Sequence, residues 1–154
     1  MREQSPRPFS VAVIGGGIGG LASALFLHHH CNDQGIEIHV YEQASQYREI
    51  GAGIGIGINA AKLLHRIDLG DALNDIAGDR NGVWISFRRF DDGNEIVTVP
   101  LDDKKRLRPL PVQRSQFLDL LVSAINERKA AALHTDKRCL NVVVSYCGPT
   151  NSVI

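Results

Sequence analysis

The chain has 154 residues, and 17 Lys+Arg against 17 Asp+Glu give a formal net charge of zero. Hydrophobic residues at 44% and charged residues at 22% are ordinary for a soluble globular domain, and about two-thirds of the unfolded chain's surface can be buried at this length. The charge balance excludes the long-range attraction of a general nucleic-acid or anionic-membrane binder. Three scattered cysteines, Cys31, Cys139 and Cys147, exclude a disulfide scaffold and place the chain in a reducing compartment.

Residues 1–8 are polar, carry two prolines and read as a flexible leader. Residues 9–154 then read as one unit. Ser10–Ile14 is apolar and rich in β-branched residues, which predicts a buried strand. Phe9 to Leu27 carries no charge, yet its glycines at 15, 16, 17, 19 and 20 break the continuous apolar helix that a signal peptide or membrane span needs. A cytoplasmic protein with no membrane span is therefore expected. Ile18 to His30 has helical periodicity, with Ile18, Leu21, Ala22, Leu25 and Phe26 on one face. Asn32 to Gly35 ends that helix, and Ile36 to Tyr41 alternates as a strand closing at Glu42. The three elements form one β-α-β unit with parallel strands.

Gly51 to Gly57 has glycine at every second position, which predicts an extended segment approached closely by another group. Asn59 is placed to cap a helix from Ala60 to Ile67, and Asp71 to Ala77 reads as a second short helix ended by Gly78. Val83 to Phe90 and Glu95 to Pro100 flank Asp91-Asp92-Gly93-Asn94, a hairpin signal. Lys104 to Pro111 is basic and irregular, and Asp102 to Arg108 is a solvated mixed-charge loop rather than a nucleic-acid patch. Arg114 to Arg128 is an amphipathic helix burying Phe117, Leu118, Leu121, Ala124 and Ile125. Leu133 to Ile154 is strand-like, with a turn at Gly148-Pro149. The last residues, Ser152 to Ile154, read as the start of a strand, so the expectation is a truncated domain.

Gly15-x-Gly17-x-x-Gly20 follows the first strand and opens the first helix, and Glu42 comes 22 residues after Gly20. Gly15 permits the tight turn, Gly17 the approach of a pyrophosphate, and Gly20 close packing of helix on strand. Free amides at the helix N-terminus favour an anion there. Glu42 would accept hydrogen bonds from both ribose hydroxyls and repel a 2′-phosphate. The pattern specifies an ADP moiety and leaves FAD and NAD both open. Gly51 and Gly53 remove side chains where a planar group could pass. Arg114, a cation at the end of a helix where the dipole disfavours one, suits a phosphate or ribityl group, and Arg48 is a weaker candidate of the same kind.

Gly15 to Gly20, Glu42, Arg48 to Ile54, Asn59-Ala60 and Gln113-Arg114 fall in an order and spacing that resembles the salicylate hydroxylase-like flavoprotein monooxygenases, over roughly residues 10–146. Ile58 stands where that family usually has proline. The resemblance implies an α/β, Rossmann-type FAD-binding domain, here partial, with an antiparallel hairpin insertion and no substrate domain. It implies FAD as cofactor, NAD(P)H as reductant, and hydroxylation of a small aromatic substrate by dioxygen. It assigns Gly15, Gly17, Gly20 and Glu42 to the ADP half, and Ala52, Gly53 and Arg114 nearer the flavin. No residue is expected to be a catalytic acid or base, so the chain alone is expected to be inactive. By the same resemblance, the neighbour of the free side of Ser10–Ile14 lies beyond residue 154, and self-association through that edge is expected. The alternative is a non-catalytic dinucleotide-binding module or pseudoenzyme.

His28 to Cys31 cannot converge on one metal ion, because consecutive helical residues point in different directions. Histidines at a helix C-terminus are favoured by the dipole instead. Cys139 and Cys147 lack zinc-site spacing and read as packing residues.

Overall fold

The computed structural model describes residues 9–31, 34–47, 53–78, 82–100 and 108–144. The leader, Arg48, Gly51, Ala52, most of the mixed-charge loop, Cys147 and the C-terminal strand start lie outside the described residues. In chain order the elements are β1 (Ser10–Ile14), α1 (Ile18–Cys31), β2 (Glu37–Tyr41), β3 (Gly53–Ile56), α2 (Ile58–Arg66) and α3 (Gly70–Asp75). β4 (Val83–Arg88), β5 (Glu95–Pro100), β6 (Leu110–Gln113), α4 (Arg114–Arg128) and β7 (Ala132–His134) follow.

The main sheet is parallel, in the order β1-β2-β7. Val11 and Val13 register with Ile38 and Val40, and Val40 registers with Leu133. Alternation puts these residues on the face that α1 and α4 cover. Leu21, Ala24 and Leu25 of α1 and Phe117, Leu118, Leu121, Ala124 and Ile125 of α4 are buried there. Ile67, Leu69 and Leu73 from the α2–α3 region and Ile56, Leu110 and Val112 from the β3/β6 ribbon complete one continuous core. Arg128 fastens α4 to α2, its guanidinium donating to the Ile67 carbonyl at 2.7 Å and the Asp68 carbonyl at 3.3 Å.

β1 is only half-buried, which corrects the expectation of a buried strand. Ser10, Ala12 and Ile14 point away from the helices, and Ile14 is 56% exposed. That open face carries three stacked rings, His39, Tyr41 and His134, with the His39 Nδ1 and His134 Nε2 atoms 3.1 Å apart.

Further differences have local causes. The second helix begins at Ile58, not Ala60, because the extended Gly57 (φ −68°, ψ 161°) is the residue before its first turn, and no side chain caps it. Asn59 therefore sits inside the helix. Leu110–Gln113, expected to be partly irregular, is a strand, since antiparallel pairing with the glycine segment satisfies its backbone despite Pro111. The C-terminal stretch forms only the three-residue β7 before running irregularly to residue 144. Cys139 is exposed and packs in no core. The β4–β5 hairpin forms as expected, turning at Gly93 with φ +71°, with Ile85, Phe87, Val97 and Val99 left exposed.

Leu121 is fully buried at the centre of α4. Replacing it by alanine is expected to cost about 2–5 kcal/mol, read as a lower urea midpoint with an unchanged slope.

Candidate functional site

The turn between β1 and α1 is built by its glycines. Gly15 has φ +102°, a conformation L side chains rarely adopt, and its amide donates to the Tyr41 carbonyl at 2.8 Å. A Cβ on Gly20 would collide with the Gly15 carbonyl oxygen and crowd Val13 Cγ1 at 3.3 Å, so helix and strand meet without an intervening side chain. Gly17 has nothing within 4 Å of the same position and faces open space. The first turn of α1 contains no acidic side chain. Its leading amides, which have no acceptor within the helix, keep their positive character for a ligand.

Glu42 stands at the end of β2 and turns its carboxylate back onto this loop. Oε2 accepts from the Gly16 amide at 2.7 Å, and Oε1 accepts from the Ala44 amide at 2.8 Å. The Ala44 bond and then the Gly16 bond hold the carboxyl below the usual carboxylate range, outweighing the upward push of partial burial. Each oxygen keeps a further lone pair, so the group can still accept from ribose hydroxyls. The backbone of Glu42 is tied down as well, its amide donating to His134 and its carbonyl accepting from Lys137.

An open cleft of about 120 Å³ lies beside this bond, lined by Gly16, Gly17, Glu42, Ala44, Gln46, Tyr47 and Leu118. Sites that enclose a whole ligand measure roughly 300–1,000 Å³, so this cleft has room for only one moiety of such a ligand. Leu118 belongs to α4, one turn after Arg114 and on the same side of the helix. Gly53 registers with Gln113, the residue immediately before Arg114. The structure thus joins Gly15, Gly17, Gly20 and Glu42 around one turn. It sets Gly53 and the exposed Arg114 together at the start of the helix whose next turn walls the cleft. Ala52 lies outside the described residues. Gly16 and Tyr47 were not singled out by sequence reasoning. A Cβ on Gly16 would meet Tyr47 Cε1 and Glu42 Cβ, the latter at 2.8 Å. The signal for Tyr47 was slight: one aromatic in a polar run, five residues beyond the acid that ends β2.

With that geometry in hand, the similarities are specific. The chain is 39% identical over 127 residues to 6-hydroxynicotinate 3-monooxygenase of Pseudomonas fluorescens, covering 80% of this chain and 31% of that protein. It is 33% identical over 122 residues to salicylate hydroxylase of Pseudomonas putida, covering 76% and 26%. Among solved structures, a variant of Klebsiella pneumoniae HpxO complexed with FAD superposes with a TM-score of 0.62 at 26% identity, covering 84% of this chain and 32% of that one. The chain is homologous to part of the FAD-dependent aromatic monooxygenases. It spans about a quarter to a third of the length of these relatives. No family model matches it. Among the described residues, no cluster of three or more His, Cys, Asp or Glu side chains could hold a metal ion, and no helix is long and apolar enough to cross a membrane.

The glycine loop yields a paired expectation. Gly20→Ala should lower stability by about 1–3 kcal/mol by forcing α1 off β1, whereas Gly17→Ala should unfold within about 1 kcal/mol of wild type. Thermal unfolding of both variants checks the contrast.

Proposed function

We propose that the chain binds the ADP moiety of FAD, as the corresponding part of an NAD(P)H-dependent monooxygenase acting on a small phenolic or other aromatic compound. Gly15, Gly17 and Gly20 would shape the turn that receives the pyrophosphate. Glu42 would accept the ribose hydroxyls, and Ala52, Gly53 and Arg114 would lie toward the flavin. The observation that carries this reading is the Glu42–Gly16 bond, which fixes an ionised carboxylate beside the free amides of α1. A terminal 2′-hydroxyl is welcome there, and a 2′-phosphate is repelled.

FAD, once bound and reduced by NAD(P)H, supplies the activation of dioxygen. This chain's own contribution is binding and orientation. The Glu42 carboxyl, held below the usual carboxylate range, is an acceptor at neutral pH and cannot deliver a proton. No other side chain lining the cleft ionises near neutrality, so the residues described here hold a cofactor rather than move protons. We therefore infer that the chain alone does not hydroxylate. The alternative reading, a dinucleotide-binding module without catalysis, rests on the same cleft and differs in what accompanies it.

A second copy of the chain is the partner we infer for β1. The Phe9 carbonyl accepts from Glu37, and the Gly15 amide donates to Tyr41. By alternation the amides and carbonyls of Ser10, Ala12 and Ile14 face the other side, where no described strand pairs with them. The strand carries no charge and no proline, the devices that usually blunt an edge.

Titrating the chain with FAD and following flavin fluorescence tests the cofactor reading. Saturable binding is expected, weakened roughly tenfold or more by Glu42→Ala and less by Arg114→Ala. Because the folded Glu42 carboxyl sits below its usual value of 4.5, affinity should be lost on acidification at a lower pH than an unperturbed carboxyl would give. A folded chain that binds no FAD overturns the reading. For the edge, sedimentation velocity should show a concentration-dependent dimer that Ala12→Lys abolishes, and a monomer at every concentration overturns self-association.

A further inference from the structure

Tyr47 carries a hydroxyl that no described residue engages. Its Cε1 atom fills the space beside Gly16 that a side chain would need, and its ring walls the cleft together with Gly16, Gly17, Glu42 and Leu118. The hydroxyl itself is buried and has no hydrogen-bond partner among the described residues. Phenylalanine would fill the same space without leaving a polar group unpaired, so packing alone gives no reason for the oxygen. A buried donor without an acceptor is a destabilising feature that native structures rarely keep without a use.

We propose that Tyr47 is a positioning residue for the ADP moiety, its hydroxyl donating to a ribose or phosphate oxygen when the ligand enters the cleft. This inference rests on the cofactor reading given above. The oxygen is closed off from solvent. Tyr47 already borders the cleft, and this role requires the side chain to rotate so that the hydroxyl enters it. Burial, and after it the charge of Glu42, pushes the phenol up from its ordinary value, so the group remains a donor at neutral and mildly alkaline pH. Glu42 and Tyr47 then divide the work. The carboxylate accepts from ribose hydroxyls, and the phenol donates to an oxygen that has no proton to give.

Calorimetric titration of wild type and Tyr47→Phe with ADP and with FAD, alongside thermal unfolding of both ligand-free proteins, tests this. The expected result is a loss in affinity of about three- to tenfold, similar for ADP and FAD. The ligand-free variant should unfold at the same temperature as wild type or higher, because an unpaired hydroxyl has been removed. Those opposite signs are what a purely structural tyrosine would not give. Unchanged affinity in Tyr47→Phe, beside a wild type that binds, overturns this inference and leaves the cofactor reading standing. Weaker binding accompanied by a lower unfolding temperature in the ligand-free variant also overturns it, in favour of a structural role. A wild type that binds neither ADP nor FAD overturns both.

Discussion

The contact of the Glu42 carboxylate with the Gly16 amide is the constraint on which the site depends. It joins the end of one parallel strand to the turn leaving its neighbour, and it does so only because several other conditions hold. Gly15 must adopt a positive φ so that the chain can leave β1 and enter α1 at once. Gly20 must lack a side chain so that α1 can sit against the Gly15 carbonyl. The β1–β2 register must bring Ile14 opposite Tyr41, which sets Glu42 level with the turn. Each condition is local, and each fails in a different way when altered. Together they place a fixed negative charge beside a helix N-terminus whose first turn contains no acid of its own.

The rest of the molecule supports that arrangement from behind. α4 is the wall common to the core and the cleft: Leu121 and Ile125 are fully buried beneath the sheet, while Leu118 reaches the cleft. Its start is fixed by the β3/β6 ribbon and its end by Arg128 on the carbonyls of Ile67 and Asp68. A left-handed Lys129 then turns the chain into β7, whose His134 carbonyl receives the Glu42 amide. The helix that carries Arg114 and the strand that anchors Glu42 are thus consecutive.

Most of this was legible in the sequence because its signals are short-range. Glycine spacing, β-branched runs and a 3.6-residue period define β1, α1, β2 and α4, and the bounds of α4 follow from its apolar face. What was not legible depended on partners distant in sequence. Leu110–Gln113 reads as a Pro-containing loop until the glycine-rich segment more than fifty residues earlier is brought alongside it. Asn59 reads as a cap until the extended Gly57 takes that place. An apolar β1 reads as buried on both faces, and the sequence cannot say that only one face is covered within the described residues. Tyr47 was missed for the same reason, since its meaning lies in its distance to Gly16 and not in its neighbours along the chain.

The open face of the sheet and the site are linked by a single structural fact. Side chains alternate along β2, so Ile38 and Val40 hold the core while His39 and Tyr41 stack with His134 on the uncovered side. That stack spans β2 and β7 just before both strands reach the Glu42 region. The Tyr41 and His134 rings, 4.7 Å apart, make a cross-strand pair on the face that no described helix covers. A carboxylate held by two amides tolerates little movement of the backbone beneath it. The aromatic row thus lies on the opposite face of β2 from the core, immediately before the residue whose carboxylate meets the glycine turn.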